Sequence, residues 1–201
     1  MTEQKLDLFR AHKDEYVTPK KPQLVQTKPA RYLTILGSGE PGGETFQAAV
    51  GALYGTAYTL KFSMKAAGKD YKVAPLEGLW WGGEGESGLP ETPSDWKWKL
   101  IIRTPDFVQP SDLEQAVDAM LAKGKDPLAR QVQLETIDEG LVVQMLHVGS
   151  YASEPQSITA MQQFAAEQGY SFHGRHHEIY LSDPNRVPPE RLRTILRFPV
   201  R

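Results

Sequence analysis

The sequence predicts an α+β fold of two strand-helix-strand-strand modules, related by a pseudo-twofold axis around a central ligand groove. Three observations predict it. The order strand, helix, strand, strand occurs twice, short stretches echo one another at matching places, and each half is too small to bury its own sheet. Gly37-Ser-Gly-Glu-Pro41 echoes Gly149-Ser-Tyr-Ala-Ser-Glu-Pro155, each before a long helix. Leu76-Glu-Gly-Leu-Trp-Trp81 matches His177-Glu-Ile-Tyr-Leu-Ser182, and Leu100-Ile-Ile-Arg-Thr-Pro105 matches Thr194-Ile-Leu-Arg-Phe-Pro199. The modules are expected at about 31–123 and 140–201, with helices outside, sheets facing the groove, and Glu77 and Glu178 at equivalent positions beside it.

In chain order, residues 1–30 form an N-terminal arm, because Thr18-Pro-Lys-Lys-Pro22 and Lys28-Pro29 disfavour a continuing helix. Arg31 to Leu36 is a strand ended by the glycine-rich stretch 37–43, which lacks a following Gly-Lys-Ser/Thr and so reads as a plain turn. From Glu44 to about Lys65, apolar residues from Phe46 to Phe62 recur at helical spacing, and their Tyr/Phe stripe is expected to be mostly core. Tyr71 to Trp81 is a strand carrying Glu77. Trp96 to Thr104 is another, with Trp96 and Trp98 on one face and Lys97 and Lys99 on the other. Ser111 or Asp112 caps a helix that Gly124 ends. A connector with Pro127 leads to strand Leu141–Val148, a helix over about 155–168 stopped by Gly169, a strand over 175–182, and a last strand over 192–200.

The 201 residues, 40% of them hydrophobic, suffice for a real core, and the net charge of −2 gives no reason to expect nucleic acid or a membrane surface. The absence of cysteine excludes disulfides and thiol chemistry. With a polar N-terminus and no long apolar run, the chain reads as soluble and cytoplasmic.

The candidate chemistry centres on Glu178. Alternation from Arg175 to Ser182 sends His176, Glu178, Tyr180 and Ser182 to one face, and His177, Ile179 and Leu181 to the other. The four tryptophans, Trp80, Trp81, Trp96 and Trp98, fall in two strands of the first module. Aromatic faces beside a buried carboxylate suit a flat, apolar, often cationic small molecule. Such a carboxylate is a credible general acid or base, or a counter-charge for a cation. Tyr180 could donate a hydrogen bond to a ligand, and His176, Tyr151 and Glu77 complete the candidate ligand-binding set. His176 and His177 point to opposite faces and no His-x-His or His-x-x-x-His pair exists, so neither a metal nor another cofactor is expected.

The stretches Pro75-Leu-Glu-Gly-Leu-Trp-Trp81, Trp96-Lys-Trp-Lys-Leu-Ile-Ile-Arg103, Gln144-Met-Leu-His-Val-Gly149 and His176-His-Glu-Ile-Tyr-Leu-Ser-Asp-Pro184 together resemble the stand-alone GyrI-like small-molecule-binding proteins, over nearly the whole chain. The resemblance implies two strand-helix-strand-strand modules around a groove. It implies a lipophilic aromatic ligand and, in the branch that hydrolyses cyclopropanoid toxins, Glu178 activating water with help from Tyr180. The alternative it implies is a non-catalytic binder that sequesters lipophilic or cationic ligands, or modulates a protein partner such as DNA gyrase. Residues 1–30 are too short for a DNA-binding helix-turn-helix domain, so direct nucleic-acid binding is not expected.

Overall fold

Strands of β-branched and aliphatic residues, too apolar for one wet face, assemble here into a single sheet covered on both sides. The computed structural model describes residues 5–82, 95–125 and 127–201. The expected link over 82–94 therefore falls mostly outside the described residues. The elements are β1 (Leu6–Asp7), α1 (Leu8–Ala11), β2 (Gln23–Gln26), β3 (Ala30–Ser38), α2 (Glu44–Ala66), β4 (Tyr71–Lys72) and β5 (Leu76–Trp81). Then follow β6 (Lys97–Arg103), α3 (Pro110–Ala122), β7 (Gln133–Ile137), β8 (Leu141–Val148), α4 (Glu154–Glu167), β9 (His176–Tyr180) and β10 (Arg193–Pro199). Eight strands form an antiparallel sheet in the order β2-β8-β10-β9-β5-β6-β3-β7, and β1 and β4 pair in parallel beside it.

The expected pair of sheets facing a groove is thus one continuous sheet, because β5 and β9 pair edge to edge, Gly78 opposite Glu178. Leu196, Glu178, Gly78 and Leu100 lie directly opposite one another across four strands, so they share a face. On that front face α2 packs against Leu33, Leu100 and Ile102, and α4 packs against Val143, Leu196 and Phe198. The groove lies above the central strands, between the two helices.

The ladders also correct the matching of the halves. Ile102 pairs with Leu33 and Leu76, whereas Leu196 pairs with Met145 and Glu178. With Gly37 matched to Gly149 and Pro105 to Pro199, Leu76 holds the place of Glu178, and Glu77 that of Ile179. The sequence match on the two glutamates is out by one residue, and a one-residue slip sends a side chain through the sheet to the other face. Glu77 is on the back.

Three further differences have local causes. The strand over 71–81 breaks at Pro75, which can give no ladder donor, into β4 and β5. The α3 helix starts earlier, at Pro110, because Gln109 is its cap and its backbone N–H donates to the Asp112 carboxylate at 2.8 Å. The connector around Pro127 contains β7, an edge strand whose polar Gln133-Leu-Glu-Thr136 lacks an apolar alternation.

The arm is integral to the domain. It supplies edge strand β2, and its Tyr16 packs on Ile179 and Ile195 of the back face. Beneath it runs a buried polar network. The Arg103 guanidinium bonds Glu15 at 3.0 Å, and the Arg197 guanidinium donates to the Glu15 carbonyl at 2.7 Å, to Gln144 at 2.8 Å and to Glu139 at 2.9 Å. His177 is clamped between Glu139 and Glu77, 2.9 Å from each, and the Tyr16 hydroxyl donates to Glu77 at 2.9 Å.

This clamp sets a pH dependence. Burial alone would lower the His177 pKa, but the charges and hydrogen bonds of Glu139 and Glu77 lift it to about 9. Burial likewise opposes ionisation of Glu139, yet His177 and Arg197 hold it down, at about 2. A raised folded pKa means that the His177 contribution is full below its unfolded value and fades as pH climbs through about 9; that of Glu139 is full above the ordinary carboxylate range and fades in strong acid. Stability should therefore decline on the order of 3 kcal/mol between neutrality and pH 9–10, read by chemical denaturation at several pH values. A flat profile across that range would contradict the clamp.

Candidate functional site

On the front face a cleft of about 1220 Å³ opens between α2, the start of α4, and the ends of β5 and β9. Strand alternation puts Glu178 and Tyr180 in its floor and Trp80 beside them, while Trp96 forms part of one wall. Phe46 of α2 stacks on Trp80 with ring centroids 5.7 Å apart, and Trp80 meets Trp96 edge-on at 5.4 Å. Opposite, Tyr151 stands edge-on to Tyr180 at 6.2 Å. The walls are aromatic on both sides.

Glu178 is 6% exposed and sits at the centre of a polar cluster. His176 Nε2 lies 3.1 Å from its Oε1; His176 Nδ1 is buried without a partner, so the tautomer that satisfies the contact carries its proton on Nε2. The Tyr180 hydroxyl lies beside the Glu178 carboxylate and accepts from Trp80 Nε1 at 3.1 Å. Burial first, and then the Glu178 charge, push the Tyr180 phenol far up, so it stays a donor.

A further neighbour is one that the sequence did not reveal. Glu154, at the first turn of α4, is 5% exposed, its Oε1 has no hydrogen-bond partner, and a carboxyl oxygen of it lies within 4.8 Å of one of Glu178. Two buried carboxyl groups this close do not both ionise. Burial and the adjacent Glu178 charge raise the Glu154 pKa to about 10, so the pair keeps one proton at neutral pH. No Lys or Arg among the described residues forms an ion pair with either carboxyl. A carboxylate offers about four acceptor sites, and His176 fills one, leaving acceptor capacity for a ligand or water in the cleft.

The other expected site residues are placed differently. Trp98 is 1% exposed, under the flat surface of Gly37, where an added Cβ would come within 2.1 Å of its ring. Trp81 points to the back face and carries the Arg175 guanidinium 3.7 Å above its ring. Glu77 is fully buried in the arm network. None of these three lines the cleft. His176 orients Glu178, its ring stacked on Phe198 at 4.4 Å, and Tyr180 lines the cleft floor with its hydroxyl bonded by Trp80. Tyr151 is the free phenol: it is 42% exposed at the cleft, its hydroxyl bonds none of the described residues, and burial with the neighbouring carboxylates raises its pKa to about 12.

Glu154, His176 and Glu178 place one potential ligand atom each within 4.8 Å of one another, a spacing that could hold a metal ion. The proton kept by the carboxyl pair and the His176 N–H compete for the same lone pairs, so a cation would have to displace both.

Gly78 keeps this arrangement in register. A Cβ there would lie 2.8 Å from Trp80 Nε1 and 2.9 Å from the Tyr180 hydroxyl, inside the contact they make. Gly78→Ala is expected to push Tyr180 off Trp80 and weaken ligand binding or turnover roughly tenfold or more, with the fold retained. Tryptophan-quenching titrations of the variant check this, and unchanged binding and turnover would contradict it.

A front-face cleft with one buried carboxylate between aromatic walls, on two packed strand-helix-strand-strand halves, can be compared with known proteins. The profile of the GyrI-like small molecule binding domain matches residues 20–201. This chain belongs to the GyrI-like family. A Listeria innocua protein described as uncharacterised and conserved is similar to it at 38% identity, over 98% of this chain and 100% of that one, with a TM-score of 0.91. A Listeria innocua protein described as a hydrolase is 37% identical over the same shares, with a TM-score of 0.90. The C-terminal domain of EcmrR shares the fold at 12% identity, covering 90% of this chain and 97% of that domain, with a TM-score of 0.60. A search of curated proteins found no match. The GyrI-like domain is a small-molecule-binding domain. No helix among the described residues is long and apolar enough to cross a membrane.

Proposed function

We propose that this GyrI-like chain binds a flat, lipophilic molecule carrying a strained cyclopropane and opens the ring by adding water. One observation carries the reading: Glu178, buried and bonded by His176, lines an aromatic-walled cleft with Tyr180 and Glu154 beside it. Water held there lies against a carboxylate that can take its proton, and the aromatic rings hold the substrate flat. The described hydrolase from Listeria innocua supports the reaction class.

Water is too weak to open an isolated cyclopropane, so the ring must be conjugated to a carbonyl that accepts electrons. In the step, the water oxygen bonds to a ring carbon as its proton passes to Glu178. The ring carbon–carbon bond breaks and its electron pair moves into the conjugated system, leaving an enolate or phenolate oxygen. Tyr151, a cleft phenol whose hydroxyl bonds none of the described residues, would hydrogen-bond that oxygen, which takes its proton from the phenol or from solvent; Glu178 then gives its proton to solvent, which restores the phenol. The net change is the addition of one water. Strain in the substrate supplies much of the driving force.

The test uses a simple spirocyclopropyl dienone as probe, following product mass and tryptophan quenching together. Wild-type protein should yield the water adduct faster than buffer does. If the probe quenches tryptophan yet is recovered unchanged, the chain is a binder that sequesters its ligand, and the hydrolase reading is wrong.

A further inference from the structure

The α2 helix carries an aromatic row that runs out of the cleft. Phe46, Val50, Tyr54, Tyr58 and Phe62 recur at every fourth residue. Such a row is inclined to the helix axis, drifting about 40° per step, so it cannot stay against the sheet for its whole length. The exposure follows that drift. Phe46, Val50 and Tyr54 are half-buried, whereas Tyr58 is 49% and Phe62 59% exposed. Tyr54 stacks on Tyr58 at 6.2 Å and Tyr58 on Phe62 at 6.5 Å, forming one ladder of near-parallel rings.

The first four residues of the row line the cleft, and Phe62 continues it beyond the mouth. From Phe46 to Phe62 the row spans about 24 Å of helix. The cleft volume, 1220 Å³, exceeds the roughly 300–1000 Å³ usual for a drug-sized ligand. An exposed ladder continuous with an oversized cleft has the shape of a second half to the same site. Lys61 helps to fix its outer ring, with Nζ 4.6 Å from the Phe62 centroid and held by Asp70 at 2.9 Å.

We infer that Tyr54, Tyr58 and Phe62 form a stacking track that selects elongated, planar, multi-ring ligands. The reacting end meets Glu178 and the tail lies along α2. The inference rests on the reading of the cleft as the ligand site, and it adds ligand length as what the site measures. Single-ring compounds would fill only the inner part, near Trp80.

The test compares two probes of the same chemistry and different length: a bis-benzimidazole Hoechst dye and phenylbenzimidazole, its short fragment. Affinities are measured by fluorescence for the wild type, Tyr58→Ala and Phe62→Ala, both exposed positions where truncation leaves the core intact. The wild type should favour the dye, and each variant should reduce the dye-to-fragment affinity ratio about threefold to tenfold, the worth of one aromatic contact. A wild-type ratio near one, or a ratio that neither variant changes, overturns the track while leaving the cleft as the binding site. Equal loss for both probes also overturns it, since the rings would then serve the cleft as a whole. If neither probe binds the wild type, the cleft reading itself fails and the track with it.

Discussion

Glu178→Gln is expected to slow ring opening by about a hundredfold to ten-thousandfold, the usual contribution of a positioned general base. Binding should change little. The amide is isosteric, and its carbonyl oxygen can still accept from His176 Nε2, so the floor of the cleft keeps its shape. What the variant cannot do is take a proton from water. The comparison is made by single-turnover mass measurements for rate and tryptophan quenching for affinity, Trp80 and Trp96 being at the cleft. A variant that turns over like wild type would remove Glu178 from the chemistry. One that fails to bind would instead make it a recognition group.

The largest effect on stability is expected from Arg197→Met. Arg197 is 2% exposed and joins Glu139, Gln144 and the Glu15 carbonyl, and so ties β8, β10 and the arm together on the back of the sheet. Methionine fills much of the volume but leaves Glu139 with only His177 for its charge. Breaking a buried pair by removing one partner costs about 3–5 kcal/mol, because the remaining charge stays buried. Urea unfolding measures the loss. A cost below about 1 kcal/mol would show that the Arg197 contacts are loosely solvated and contribute little to holding the arm.

Legibility in the sequence followed the range of the interactions concerned. Period-two alternation is local, so the common face of His176, Glu178 and Tyr180 could be read from eight residues, and the helical period marked α2 to within a residue or so at its end. Equivalence between distant strands is not local. Leu76-Glu-Gly and His177-Glu-Ile look alike when aligned on glutamate, but ladder register decides the match, and it aligns Leu76 with Glu178. The same limit applies to the tryptophans. Alternation separates Trp80 from Trp81, yet only the neighbouring strand shows that Gly37 leaves a slot for Trp98. Glu154 had no mark of its own: it stood in a segment that echoed the first module, and its role comes from meeting Glu178 across 24 positions of chain. The Tyr/Phe stripe was expected to be core, but the 23-residue α2 extends about 35 Å, past strands of about 20–30 Å, so its end has no sheet to cover it.

The central claim, that Glu178 activates water against a strained ring, is tested most directly by the fate of oxygen. A single turnover of the spirocyclopropyl dienone in heavy-oxygen water, with excess protein, separates the possibilities by mass. The account predicts one heavy oxygen in the ring-opened product and none in the protein. Product that carries ordinary oxygen, with a heavy atom left in the Glu178 carboxylate, would contradict it, for the carboxylate would then have attacked the ring itself.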